Sequence, residues 1–577
     1  MTARELKGIA ASDGIAIGPA FCYAVPLLTI PTRTPEQPNV ELARFQSAQE
    51  QARMELKGLR ENVAARTRGD EFAAIFDAHE MMLDDPMLAD KVGSKIQQGI
   101  IVEQAVADAT QELASLLANM EDELFAARAA DVQDVGRRVL RILLGLPDTA
   151  LNSLQNPSII IAQDLTPSDT ARLDPALALG FCTALGGLTS HSAILARTLG
   201  LPAVVGLGAS ALASMKSGQM LVMDGGSGTL VVDPPEETLT RYRAIKREKE
   251  IRLEAIKASA RTEACTANGR RVEVAANIGE VETAREAVEF GAEGVGLLRT
   301  EFLYLNETRA PDENKQYGIY KAIFDVMGQR PVIIRTLDIG GDKPPSYMPF
   351  PQEMNPFLGW RAIRMCMDDT PLFKTQLRAI LRAAAGHNVR IMFPMIIGLD
   401  ELMCARGTVA QAEAELREAG LPCAVNVPVG IMVETPAAAV LVDVLAEAAD
   451  FFSLGTNDLT QYTLAVDRGN EKVAGLFQPL HPAVLRMIKM TIDGAHRKGK
   501  WVGMCGELAG MQKAIPILLG MGLDEFSMAS RSIPLAKNLI GKFSDERARQ
   551  VCEQALSLAT AQEIEDYMKG VLAGLDA

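Results

Sequence analysis

The segment GGLTSHSAIL begins at Gly186 and holds one of only five histidines in 577 residues. Gly186 and Gly187 let the backbone approach a bound group with no Cβ in the way. Thr189 or Ser190 is placed to cap a helix over SAILARTLG. His191 then stands at a helix N-terminus, where free N–H groups and the helix dipole favour an anion. A neutral imidazole beside an anion site is a nucleophile suited to phosphoryl capture. The plainer alternative is a capping loop with a hydrogen-bonded histidine.

A second set of polar residues lies at or just after short apolar runs in the C-terminal half. Arg299 ends GVGLLR and Arg335 lies in IIRTLDIGGDK. Glu434 ends GIMVE, Asn457 and Asp458 follow FSLGT, Arg468 lies in AVDRGN and Cys505 ends WVGMC. Arginines supply bidentate contacts to phosphate and carboxylate. Two carboxylates offer hard oxygen ligands to Mg²⁺, which keeps substrate oxygens in its shell. Together these residues suit a polyanionic substrate bridged by a divalent cation. Taken singly, each reads equally as a surface salt bridge, or for Cys505 as a small core residue.

The elements that must position these residues follow from periodicity. The first ~25 residues are β-rich, with alternation in GIAIGPAFCYAV. From about Pro35 to Leu144 apolar residues recur at helical spacing, with a break at Asp84-Asp85-Pro86. Acidic residues outnumber basic ones in this segment, which suits a basic partner or simply a solvated bundle face. Strand signals return in SIIIAQDL, FCTALGG, PAVVGLG and LVMDGG, predicting a small α/β domain whose first strand comes from the N-terminus. Thr238–Ala260 reads as one charged linker helix. Beyond it lie eight apolar runs: RVEVAANI, EGVGLLRT, PVIIRTLD, VRIMFPMI, VGIMVETP, FFSLGTND, WVGMCGEL and DEFSMAS. Eight β-α units predict a TIM barrel, with the polar run-ends at its C-terminal mouth.

Composition narrows the classes. A chain of 577 residues exceeds one core, so several domains are expected. The net charge of −15 argues against nonspecific nucleic-acid binding. No apolar run is long enough to span a membrane, and the opening MTARELKGIAASDGIAIG lacks a signal-peptide core. The cysteines at 22, 182, 265, 366, 404, 423, 505 and 552 form no C-x-x-C pair, so reduced thiols in a cytoplasmic protein are expected. Neither a GxGxxG signal after a strand nor a Walker A sequence stands out.

GGLTSHSAILARTLGLPAVVG closely resembles the phosphohistidine signature of the enzymes that use phosphoenolpyruvate (PEP). GVGLLRTEFLYL, RTLDIGGDK, NPFLGWRAIR, GIMVETPAA, FFSLGTNDLTQYTLAVDR and GMCGELAG resemble motifs of the enzyme I branch, in that branch's order. The resemblance spans essentially the whole chain. It implies that His191 carries the phosphoryl group, assisted by Arg197 and by Thr170 in DLTPSDTARL. It implies that Arg299 and Arg335 bind the PEP phosphate, and that Asn457, Arg468 and Arg361 hold the substrate. Glu434 and Asp458 would bind Mg²⁺ and Cys505 would protonate the enolate. Met354 departs from the glutamate frequent in the family. The fewer than 200 residues ahead of His191 leave no room for a nucleotide-binding domain, which favours enzyme I over the dikinase and synthase branches.

The implied architecture is a phosphohistidine α/β domain (1–34 and 145–237), an inserted helical domain docking the carrier HPr (35–144), a linker helix (238–262), and a PEP-binding, dimerising barrel (263–577). His79, within the helical segment, reads as structural. No sensory domain is expected ahead of this unit and no fused carrier at either end. Two rivals are a barrel lyase or aldolase acting on pyruvate-like substrates, and a non-catalytic PEP sensor. The first leaves the His191 signature unexplained, and the second would be expected to have lost His191 or Cys505.

Overall fold

The computed structural model describes the chain except residues 1–3, 24–27, 68–69, 119–122, 147–153, 167, 170–172, 175, 188–189, 214, 306, 341–344, 346, 349, 352 and 576–577. Two compact units divide it, Met1–Ile251 and Arg252–Ala577.

In the first unit the β-rich start resolves into three strands, β1 (Arg4–Lys7), β2 (Ile9–Ser12) and β3 (Ile15–Tyr23). Breaks fall at Gly8 and at Asp13-Gly14, where Gly14 takes a φ of +131° that a side chain would oppose. Five helices follow: α1 (Pro38–Thr67), α2 (Asp70–Leu83), α3 (Pro86–Gln97), α4 (Val102–Ala118) and α5 (Glu123–Leu143). Asp85 caps α3 by accepting from the Met87 N–H at 2.8 Å, which explains the break at Asp84-Asp85-Pro86. Phe45, Ala52, Leu56, Val92, Val106 and Val139 supply part of the bundle's own core. His79 is fully buried there, edge-on to Phe76 and 3.3 Å from Asp131 Oδ1.

The chain then returns as β4 (Ser158–Ala162), β5 (Ala178–Thr183), α6 (His191–Leu199), β6 (Ala203–Val205), β7 (Met220–Asp224) and β8 (Thr229–Val232). The eight strands form one sheet in the order β1-β8-β7-β3-β4-β5-β6-β2. Because β3 pairs in parallel with β4, the five helices lie between two neighbouring strands of one sheet. The helices are tied to the sheet's loops by Ser168, whose Oγ donates to Asp134 Oδ2 at 2.5 Å and accepts from Arg138 at 2.8 Å. Helix α7 (Glu236–Ser259) leads out of the sheet, and the boundary between the two units falls within it.

In the second unit all eight apolar runs become strands: β9 (Glu273–Ile278), β10 (Val295–Leu298), β11 (Val332–Arg335), β12 (Val389–Phe393), β13 (Val429–Val433), β14 (Phe452–Leu454), β15 (Val502–Met504) and β16 (Glu525–Met528). Every neighbouring pair is parallel and β16 closes on β9, giving a closed barrel. Alternate side chains separate as a pleat requires. Leu297, Ile333, Met392 and Met432 pack together with Phe451 and Cys505, while Leu298, Ile334, Ile391, Phe393 and Ile431 join the larger core shared with the helices. Polar residues at strand C-termini are thereby carried above a packed apolar floor. Among the described residues, no helix is long and apolar enough to cross a membrane.

Candidate functional site

Helix α6 begins at His191, with Ser190 as its cap. Ser190 Oγ accepts from the Ala193 N–H at 3.3 Å, donates to the Gly187 carbonyl at 2.8 Å and lies 3.1 Å from Ser192 Oγ. Gly186 takes a φ of +100°, the left-handed region that favours glycine. Gly200 closes the helix at a φ of +66°. His191 thus occupies the first helical position, as the spacing predicts, with Ser190 in the capping role. Thr170 and Thr189 lie outside the described residues. Arg197, on the same helix, is exposed and donates to the Ala11 carbonyl at 3.4 Å.

At the barrel mouth the sequence-predicted residues converge around one acid the motifs did not single out, Asp338. Its Oδ2 is 2.8 Å from Arg335 Nη1 and its Oδ1 is 2.9 Å from Arg361 Nη2. Burial pushes the Asp338 carboxyl up, but Arg335 and Arg361 outweigh that and hold it below its ordinary value. Arg335 also donates to Glu301 Oε1 at 2.6 Å. Arg361 reaches Asp458 Oδ2 and the Tyr462 hydroxyl, each at 3.4 Å. Arg299 is exposed, and its charge also lowers Asp338. Arg468 is partly exposed, with Nη2 at 3.3 Å from Asp458 Oδ1.

The two predicted metal carboxylates face this cationic cluster. Glu434 directly follows β13 and is 1% exposed. Asp458 sits in the first turn of helix α8 (Thr456–Leu464) and is also buried. Burial, then the charges of Asp458 and Asp338, push the Glu434 carboxyl up to about 8. Glu434 Oε1 accepts from the Met395 N–H at 2.6 Å, and Met395 holds a φ of +57° to aim it. Gly455 is required here, because a Cβ on it would come within 2.9 Å of the Glu434 side chain. A second non-glycine residue in the left-handed region, Ala362 at a φ of +55°, immediately follows Arg361. Backbone strain of about 1–3 kcal/mol per residue is a common feature of functional sites.

These residues fit a divalent cation. Asp458 Oδ1 is buried and makes no hydrogen bond, only the ion pair with Arg468, and the Glu434 carboxyl stays raised even though Arg335 and Arg361 pull it down. Among the described residues no group of three or more His, Cys, Asp or Glu is arranged to hold a metal. Two carboxylates alone would leave the rest of a cation's shell to other oxygens, an arrangement that Mg²⁺ accepts.

Cys505 follows β15 and is 3% exposed, packed in the apolar floor. Its Sγ lies 3.8 Å from the Leu454 carbonyl. Burial pushes the thiol up to about 11, with Arg335 acting in the opposite direction, so at neutral pH it carries a proton. Asn457 is half-buried and exchanges hydrogen bonds with Glu507 at 3.3 Å, Nδ2 to Oε1 and the Glu507 N–H to Oδ1. Glu301 and Asp338 were the acids missed from sequence, although both stand inside the motifs quoted above, within three residues of an arginine. Met354, the residue that departs from the family pattern, is 98% exposed.

A closed barrel with arginines and acids at its mouth, together with a histidine-bearing helix on an α/β sheet, defines a class that comparison with known proteins identifies. Profiles described as "PEP-utilising enzyme, N-terminal", "PEP-utilising enzyme, mobile domain" and "PEP-utilising enzyme, PEP-binding domain" match residues 7–128, 154–228 and 254–544. The chain belongs to the PEP-utilising enzyme family. It is 46% identical over 571 residues to a phosphoenolpyruvate-protein phosphotransferase of Geobacillus stearothermophilus, covering 98% of each chain. Proteins of the same name from Staphylococcus carnosus and Bacillus subtilis are each 43% identical, over 98% of this chain and 99% of theirs.

Proposed function

We propose that the chain transfers the phosphoryl group of PEP to its own His191 and then to a histidine of the carrier HPr, releasing pyruvate, as the first step of sugar uptake by the phosphotransferase system. The observation that carries this reading is the cluster at the barrel mouth. Arg335 and Arg361 are joined through Asp338 beside two buried carboxylates, a receptor for a compact polyanion. The shared name of the full-length relatives supports the same reaction.

In this reading Arg299 and Arg335 hold the PEP phosphate, while Asn457, Arg468 and Arg361 orient the rest of the substrate. Glu434 and Asp458 would hold Mg²⁺, which neutralises charge on the phosphoryl and carboxylate oxygens when bound. Neutral His191 attacks phosphorus in line through Nε2, its helix N-terminus favouring the incoming anion. Thr170 and Arg197 support the phosphorylated imidazole. The protonated thiol of Cys505 delivers its proton to the enolate carbon, and pyruvate leaves.

One histidine serving both PEP and HPr needs a swivelling carrier. Residues 1–34 and 145–237 form that carrier, residues 35–144 dock HPr, 238–262 contain the hinge helix, and 263–577 bind PEP and dimerise. The acidic balance of the helical insert suits a basic rim on HPr. The protein acts in the cytoplasm.

The test is incubation with PEP labelled on phosphorus and Mg²⁺, with and without HPr, beside His191→Ala. The expected result is acid-labile, base-stable label that chases from His191 to HPr. Pyruvate release with no label on the chain would replace this reading with a barrel lyase.

A further inference from the structure

The helix Thr370–Ala383 is one of those packed on the barrel. Its inward stripe includes Phe373, Leu377 and Ile380, and one polar residue, Gln376, interrupts it at 1% exposure. A buried amide costs stability unless its hydrogen-bonding capacity is used. Gln376 uses it on two strand ends.

The Leu337 backbone N–H can only donate, so its partner at 2.9 Å is Gln376 Oε1, which fixes the orientation of the amide. The Nε2 hydrogens then go to Thr300 Oγ1 at 3.1 Å and to the Tyr320 hydroxyl at 3.3 Å. Thr300 in turn donates to the Arg335 carbonyl at 3.0 Å. The Tyr320 hydroxyl donates onward to Gln316 Oε1 at 3.2 Å. Thr300 directly follows Arg299. Leu337 lies between Arg335 and Asp338.

We infer that Gln376 is a positioning residue for substrate binding: through Thr300 and Leu337 it fixes the spacing between the strand ends that carry Arg299 and Arg335. The inference rests on the reading that these arginines bind the PEP phosphate. Gln376 touches no substrate itself. Its effect is on where two guanidinium groups stand, and a misplacement of about 1 Å at such a site can cost about a hundredfold in rate.

The test measures KM for PEP, kcat for PEP-dependent pyruvate release and thermal midpoint in the full chain. Gln376→Glu is isosteric and keeps the acceptor for Leu337, but offers no proton to Thr300. Thr300 then turns its hydroxyl toward the carboxylate and releases the Arg335 carbonyl. At a pH high enough to ionise this buried carboxyl, whose pKa burial raises, the expected result is KM raised about tenfold, with a smaller fall in kcat. Lowering the pH, which protonates the introduced carboxyl, brings KM back toward wild type. Thr300→Val reproduces the rise and Thr300→Ser largely reverses it. Gln376→Met combined with Thr300→Val is no worse than Gln376→Met alone, because both cut one chain.

A lowered thermal midpoint with unchanged KM would leave Gln376 a packing residue and overturn the inference. So would additive effects of Gln376→Met and Thr300→Val. Arg335→Met separates the two levels. If it leaves KM unchanged, the phosphate-binding reading fails. If it raises KM while Gln376→Glu does not, only the positioning role fails.

Discussion

At the start of helix α6 the contacts that order the backbone are local: Ser190 caps Ala193 three residues on and donates to Gly187 three residues back. At the barrel mouth the partners are distant in sequence. Arg361 meets Asp458 across 97 residues, and Glu434 takes the Met395 N–H across 39. The platform of His191 is a short local motif, whereas the cluster at the barrel mouth exists only once eight strands have closed. Under the proposed function the difference has a use, since a carrier that visits two sites gains from being self-contained. A site that must hold opposed charges out of water gains from a rigid scaffold.

The sharpest way to break this contrast is at the mouth. Arg361→Met leaves Asp338 and Asp458 with one cation fewer in a buried setting. It should lower kcat/KM for PEP by a hundredfold or more and destabilise the barrel by about 3–5 kcal/mol, the range for breaking a buried ion pair. Steady-state kinetics and denaturant melts check both numbers. Cys505→Ala should slow pyruvate formation by about 10²–10⁴-fold, the usual contribution of a general acid, with thermal stability little changed. A stopped-flow assay for pyruvate reads it directly.

How much of this contrast was legible beforehand follows from the same distinction. The capped helix at His191 and the eight strands of the barrel are written in local periodicity and turn residues, so sequence patterns located them. Glu301, Asp338 and Gln376 were not assigned, because their roles are pairings created by barrel closure and no spacing rule announces which acid meets which arginine. Asp458 reads as a residue at a strand end, after FSLGT, and it lies in the first turn of α8, where Gly455 caps without a side chain. The β-rich start is also more divided than its one alternating stretch suggests. GIAIGPAFCYAV supplies β3, while β1 and β2 lie ahead of it, separated by short breaks at Gly8 and Asp13-Gly14.

A smaller effect tests the opposite end of the barrel. Glu525 and Glu273 begin adjacent strands and face each other in register. Burial, then Glu273, pushes the Glu525 carboxyl up to about 8. The folded chain therefore holds a proton that the unfolded chain releases near the ordinary carboxyl value of 4.5. Stability from this group is fully present below that value and is lost as pH rises toward about 8. Thermal melts of Glu525→Gln should show a shallower fall over this window than wild type, with no change in KM for PEP.

The smallest effect belongs to the self-contained helix. Ser190→Ala removes the cap and should cost about 1 kcal/mol of local stability. Hydrogen exchange should rise at Ala193 and its neighbours, and phosphoryl transfer should slow several-fold. PEP affinity should be untouched under the proposed function, because none of the barrel-mouth residues named above belongs to α6.

The central claim is that the barrel mouth binds PEP and His191 takes its phosphoryl group. The most direct measurement is a single turnover of PEP on wild type and on His191→Ala, following PEP binding and pyruvate release together. The account predicts equal PEP binding by both chains, with pyruvate released by wild type in proportion to label gained on His191 and none released by the variant. Pyruvate release by His191→Ala at the wild-type rate would contradict it.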